Sequence, residues 1–233
     1  MVVCRAVGFD LDGTLFDHRG SAWRALDVFI TDLGGACTEE LLSVWFTIEA
    51  QEFESWRTGQ VSFVEQRRRR LRRFLPLIET PIPPEEVELD ALFAAYLNAY
   101  RREWRVFPGT LDVLDELRES GVAIGVLTNG DSAQQRDKLA TLHLVPRIDA
   151  VCISDEIGYT KPDPRAFRSL AAALGVEHAD IVFIGDDELH DVTGARAAGM
   201  RAALVDPVDG PDRLRRAIQR AIGRVPHRGT RDD

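Results

Sequence analysis

The sequence predicts an α/β protein: a parallel sheet covered on both faces by helices, with an all-helical segment inserted beside its first strand. Three observations carry this reading. From Val106 onward, short aliphatic runs alternate with helical patterns. A further aliphatic run, Arg5 to Phe9, stands at the opposite end of the chain. Between them, from about Asp17 to Trp104, no strand-like run occurs and apolar residues follow the helical period.

Arg5 to Phe9 is the first expected strand, closed by Asp10. In the helical segment, Trp23, Leu26, Ile30 and Leu33 form one stripe that stops at Gly34 and Gly35. Ser62 and Glu65 read as a capping box. Pro83 and Pro84 open a further helix carrying Leu89, Leu92, Phe93, Tyr96, Leu97 and Tyr100. The chain returns at Phe107-Pro108-Gly109, which gives an α/β core of residues 1–16 and 105–233 and a helical cap of residues 17–104. Four more strands follow: Val122 to Leu127, Ala150 to Ile153, Ile181 to Ile184 and Ala202 to Val205, each bounded by Gly, Asp, Asn or Pro. Pro164 to Leu174 is an amphipathic helix, with Phe167, Leu170, Ala171 and Leu174 on one face and Gly175 as its stop. The last ten or so residues, rich in Arg, Gly and Asp, read as a loose tail.

Composition narrows the function classes. The 233 residues, 45% hydrophobic and 29% charged, suit one large domain or one with an insertion. Lys plus Arg number 29 against 38 Asp plus Glu, a net charge of −9 that disfavours nucleic acid and anionic membranes as partners. Cys4, Cys37 and Cys152 are widely spaced and odd in number, so reduced thiols are expected rather than a zinc site or disulfides. The first apolar run is broken by Arg5 and Asp10, too short for a signal peptide or a membrane span, and the expected compartment is the cytoplasm. The arginines at 67–70, 72 and 73 circle a helix and read as a solvated, salt-bridged face. The aromatics Trp45, Phe46, Phe53 and Trp56 read as helix-bundle core.

Four polar clusters follow expected strands: Asp10-Leu11-Asp12-Gly13-Thr14, Thr128-Asn129-Gly130, Lys161-Pro162 after a short loop, and Gly185-Asp186-Asp187 with Asp191. In an open parallel sheet the carboxyl ends of the strands share one edge, where ligands bind. Five carboxylates meeting there cannot all stay ionised without compensating charge, and Lys161 supplies a single unit of it. A hard divalent cation bound through oxygen suits the surplus, with Mg²⁺ and a substrate phosphate as the natural combination.

These residues resemble the haloacid dehalogenase-like hydrolases, in particular the subfamily with a helical cap inserted after the first strand. The resemblance rests on DLDGT at Asp10 to Thr14, Thr128-Asn129, Lys161, and Gly185-Asp186-Asp187 followed by Asp191. It implies a Rossmann-like doubly wound core and a phosphatase acting on a small phosphorylated metabolite, with the cap closing over the site. By the same resemblance Asp10 is the nucleophile that forms an aspartyl-phosphate, and Asp12 is the acid and then the base. Mg²⁺ is held by Asp10, the main-chain carbonyl of Asp12, and Asp186. Thr128, the backbone N–H of Asn129, and Lys161 hold the phosphoryl group. The family often carries a small polar residue at the position of Asp187 and Asn at that of His190. Asp187 and Asp191 are therefore assigned a supporting place behind the metal, and His190 no catalytic one.

A phosphomutase of the same fold is the alternative chemistry. A dehalogenase is less favoured, because the dehalogenase members lack the second aspartate, here Asp12. A signalling receiver domain shares the acidic residues, Thr and Lys but is about half this length. A binding module without catalysis is disfavoured because every charged motif residue is kept. The expected partner is a small phosphorylated molecule, and the expected assembly a monomer or homodimer.

Overall fold

The computed structural model describes residues 4–222, so the expected loose tail lies outside the described residues. The chain forms two compact units. One runs to Phe16 and resumes at Val106, and the other is Asp17–Arg105. Arg105 closes the helical unit, and its guanidinium pairs with Asp17 at 2.6 Å. Asp17 in turn caps the next helix through the Gly20 N–H at 2.9 Å. In the first unit, Phe16 and Val106 bridge antiparallel.

The helical unit contains α1 (His18–Asp32), α2 (Glu39–Arg57), α3 (Phe63–Phe74) and α4 (Glu86–Arg102). Thr38 caps α2 and Ser62 caps α3, each hydroxyl accepting the N–H three residues on. Trp45 is fully buried, edge-on to Phe74 and to Tyr96 with ring centres 4.9 Å away in both cases. Trp23, expected in the buried stripe, is 52% exposed. The buried face of α1 is Ser21, Ala22, Ala25, Leu26, Phe29 and Ile30, turned toward the alanines. Phe29 meets Tyr96 of α4 edge-on across that face.

The arginine run is largely salt-bridged, as its circling pattern predicts. Arg68 pairs with Glu86 and Asp90, Arg69 and Arg72 with Glu65, and Arg73 with Glu52. Arg70 departs from a solvated face. It is buried, 3.0 Å from Glu49, with its guanidinium 4.5 Å from the Trp45 ring centre.

The other unit contains β1 (Ala6–Phe9), α5 (Thr110–Glu119), β2 (Ala123–Thr128), α6 (Ser132–Thr141), β3 (Ala150–Ile153) and the short α7 (Ser154–Ile157). It continues with α8 (Pro164–Leu174), β4 (Ile181–Gly185), the short α9 (Gly194–Ala197), β5 (Arg201–Leu204) and α10 (Arg213–Ile222). The five strands are all parallel in the order β3-β2-β1-β4-β5. β1 and β4 are buried at every residue, as central strands of a doubly covered sheet must be. On one face Phe167, Leu170 and Ala171 of α8 pack with Leu127, Cys152 and Phe183.

Strand ends differ from expectation by a residue. Val122 belongs to the close of α5, where its N–H reaches the Leu117 carbonyl, so β2 starts at Ala123. All three thiols are free, and burial pushes each above its ordinary pKa. No helix among the described residues is long and apolar enough to cross a membrane.

Candidate active site

β1 lies in the middle of the sheet with β2 on one side and β4 on the other, so the connection order reverses at its carboxyl end. Phe9 is in register with Val126 and with Ile184, which brings Asp10, Thr128 and Asp186 to one edge. Asp10 is 5% exposed, and its Oδ1 accepts a hydrogen bond from Lys161 Nζ at 2.5 Å. The same ammonium donates to Asp191 Oδ1 at 2.6 Å. The carboxylates of Asp10, Asp186 and Asp191 each have an oxygen within 4.8 Å of the others.

Three carboxylates and one ammonium set the protonation of the cluster. Burial is the largest influence on Asp10 and raises its carboxyl well above the usual range; Asp191 and Asp186 add to this, and Lys161 opposes it. Burial alone would lower the Lys161 ammonium, but Asp10 and Asp191 outweigh it and hold the group above its ordinary value. Asp186 is pushed up to about 6, first by burial and next by Asp191, with Lys161 pulling the other way.

Glycine is required at two points beside the cluster. Gly13 has φ +92°, and a Cβ there would lie 2.1 Å from Asp186 Oδ2. A Cβ on Gly185 would lie 2.2 Å from the Asp191 carboxylate. Gly13→Ala is therefore expected to displace the Asp186 carboxylate and cost about 1–3 kcal/mol, read as a fall in the urea unfolding midpoint.

The raised Asp186 value has a sign that can be tested on metal-free protein. A carboxyl with a folded pKa above its unfolded one costs stability when ionised, and that cost disappears as pH falls below the unfolded value. The shift from 3.8 to about 6 corresponds by linkage to about 3 kcal/mol, which the solvent-exposed flank of Asp186 reduces to about 1. Without metal, Asp186→Asn should raise Tm at pH 7 by roughly 2–4 °C and leave it unchanged near pH 3, below the unfolded value, measured against the unsubstituted protein at each pH.

The remaining residues divide. Thr128 is 1% exposed, and its Oγ1 accepts from Gln135 Nε2 at 2.6 Å, which leaves its own proton to donate. Asn129 exchanges two bonds with the Lys161 backbone, Nδ2 to the carbonyl at 3.0 Å and Oδ1 from the N–H at 2.8 Å. Its side chain thus fixes the lysine, whose bond to Pro162 is cis. Thr14 Oγ1 donates to Asp186 Oδ1 at 3.3 Å. Asp191 Oδ2 accepts the Asp187 N–H at 3.1 Å.

Asp187 is not brought into the cluster. It caps the π-helical turn Glu188–Thr193, taking the N–H groups of Leu189 and His190, and its Oδ2 meets His190 Nδ1 at 2.7 Å. Burial opposes its ionisation, but the His190 backbone and ring outweigh that and hold it below the usual range. His190 has this local partner.

Asp12 is held by two residues that the motifs do not include. Lys138 Nζ lies 2.5 Å from Asp12 Oδ1, and Gln135 Nε2 lies 2.8 Å from Asp12 Oδ2. Both come from α6, three residues apart on one helical face. Their only trace in the sequence is that spacing on the helix after Thr128-Asn129-Gly130.

The model for "haloacid dehalogenase-like hydrolase" matches residues 4–199, most of the chain and all of this cluster. The chain belongs to that family. A glyceraldehyde 3-phosphate phosphatase of Methanothermobacter thermautotrophicus is 32% identical over 207 residues, 87% of this chain and 85% of its own length. A phosphoserine phosphatase of Thermus thermophilus is 42% identical over 106 residues, which are 46% of this chain and 43% of that protein. The crystal structure of the HAD hydrolase YfnB of Bacillus subtilis, bound to magnesium, has a TM-score of 0.77 at 21% identity, over 88% of this chain and 90% of that one. As a member of the family the chain is a hydrolase, with the helical insertion placed between β1 and β2.

Proposed function

We propose that this hydrolase is a Mg²⁺-dependent phosphatase that cleaves a small phosphorylated metabolite through an aspartyl-phosphate on Asp10. The observation that carries the reading is Asp10 Oδ2, a buried carboxylate oxygen without a hydrogen-bond partner among the described residues, beside Asp186 and Asp191. An orphaned acceptor in a surplus of negative charge fits a hard divalent cation. Asp10, Asp186 and the main-chain carbonyl of Asp12 would hold it. Both oxygens of Asp191 are engaged, by Lys161 and by the Asp187 N–H, so Asp191 braces the cluster. Bound there, the cation would offset the charge of the transferring phosphoryl group.

The chain's own residues supply the rest. Asp10 attacks phosphorus in line, and the bond to the leaving oxygen breaks as that oxygen takes a proton from Asp12. Water then attacks the aspartyl-phosphate, Asp12 accepts its proton, and phosphate leaves with Asp10 restored. The Lys161 ammonium, the Thr128 hydroxyl and the Asn129 N–H hold the phosphoryl oxygens meanwhile. A halide would leave without a proton, so Asp12 favours an oxygen leaving group over carbon–halogen cleavage. The named relatives act on phosphoserine and on glyceraldehyde 3-phosphate, which supports a small phosphomonoester as substrate class.

The test is phosphate release from a panel of such esters, with Mg²⁺ and with EDTA. Turnover with at least one ester, lost in EDTA and restored by Mg²⁺, is the expected result. Folded protein that releases no phosphate from any ester with Mg²⁺ present would overturn the reading, and transfer of the phosphoryl group to a second sugar hydroxyl would replace it with the mutase.

A further inference from the structure

We propose that Gln135 and Lys138 are positioning residues that hold the Asp12 carboxylate for proton transfer and tie it to the phosphoryl-binding Thr128; this rests on the phosphatase reading above. Both residues are buried, Gln135 to 2% exposure and Lys138 to 4% over the whole residue. Burying an ammonium is costly, and replacing a buried ion pair with apolar side chains is often neutral or stabilising, so fold stability alone gives weak cause for a lysine here. The geometry supplies another cause. Lys138 Nζ takes Asp12 Oδ1 and Gln135 Nε2 takes Asp12 Oδ2, so each carboxylate oxygen has its own donor and rotation about the terminal bond is restrained. The same Gln135 nitrogen donates to Thr128 Oγ1 at 2.6 Å. One amide group therefore fixes the relation between the proton-transferring residue and a group that grips the phosphoryl oxygens.

The Lys138 ammonium has a further contact in the same unit. Its Nζ lies 5.0 Å from the Phe16 ring centre, a second favourable contact for the charge. Asp12 keeps 26% side-chain exposure, enough for a leaving oxygen or a water to reach it, whereas the lysine is withdrawn at 5%. This places Lys138 behind the carboxylate and outside contact with substrate. Proton-transfer efficiency falls steeply when a carboxylate is out of line, so loosening Asp12 should slow protonation of the leaving group and leave the nucleophile in place.

The test uses Lys138→Met and Gln135→Met, which keep the volume and remove the donors. Two substrates are compared: an alkyl phosphate, whose leaving oxygen needs a proton, and p-nitrophenyl phosphate, whose leaving group departs as a stable anion. In single-turnover rapid-quench experiments each variant should slow aspartyl-phosphate formation from the alkyl ester about 10²-fold and from the aryl ester less than about fivefold. It should slow the water step, which Asp12 serves as base for both esters, to the same extent with either, and keep substrate Kd within about threefold. In the Asp12→Asn background, adding Lys138→Met should change neither rate further, because the group it positions is already gone. Equal losses in aspartyl-phosphate formation from both esters, or additive losses with Asp12→Asn, would show a structural role and overturn the proposal. If Lys138→Met does not fold, Gln135→Met decides by the same comparison. The alkyl ester is the best substrate of the panel above, and unsubstituted protein inactive on every ester of that panel would instead defeat the phosphatase reading itself.

Discussion

Asp10→Asn should reduce phosphate release by at least about 10³-fold while the protein stays folded. The amide keeps the shape of the carboxyl but is a poor nucleophile, and it places a neutral group opposite Lys161, 2.5 Å from Oδ1 in the unsubstituted protein. The substitution also removes a negative charge whose ionisation burial, Asp191 and Asp186 oppose, and Lys161 keeps Asp191 as a partner, so the metal-free variant should be no less stable than its parent. Two measurements check this. Steady-state release gives the rate, and acid quenching during turnover should trap a phosphorylated chain in the parent and none in the variant. Retention of more than about a tenth of the rate in Asp10→Asn would exclude Asp10 as nucleophile.

The second large effect concerns the helical unit. Trp45→Ala should cost about 3–5 kcal/mol, because a fully buried indole is removed from contact with Phe74 and Tyr96 and the Arg70 guanidinium loses the ring it rests on. In urea this is a fall of roughly 1–2 M in the unfolding midpoint, followed by circular dichroism. Trp45→Phe keeps an aromatic surface and should lose less than half as much. Equal losses for both would mean that the indole itself, rather than ring packing, carries the stability.

Much of this was legible because strand ends are written in local chemistry. Aliphatic runs closed by Asp, Thr or Gly located every strand to within a residue or two, and Gly175 marked the stop of α8. Asp10, Asp186 and Asp191 could be brought together on paper because parallel strands share one carboxyl edge. Gln135 and Lys138 could not. They lie 123 and 126 residues from Asp12, and an amphipathic helix does not state which loop its polar residues will meet. Trp23 misled for a related reason. Side-chain size suggests the buried face of a helix, but Ala22 and Ala25 allow close approach to a neighbour, and packing chose them. Asp187 and Asp191 look alike in sequence. Asp187 begins the turn, where backbone N–H groups capture it, while Asp191 lies one turn later and faces Lys161.

The double attachment of Lys161 has a further meaning over a reaction cycle. On the proposed route Asp10 alternates between a free carboxylate and an acyl phosphate, so a lysine tethered to it alone would lose its anchor each time the acyl phosphate formed. Asp191 changes covalent state in neither half-reaction, so no step of that route breaks its 2.6 Å bond to Lys161. The ammonium is thereby stationed for the water step as firmly as for the first attack, and the second half of the cycle begins without a side chain having to be recruited again.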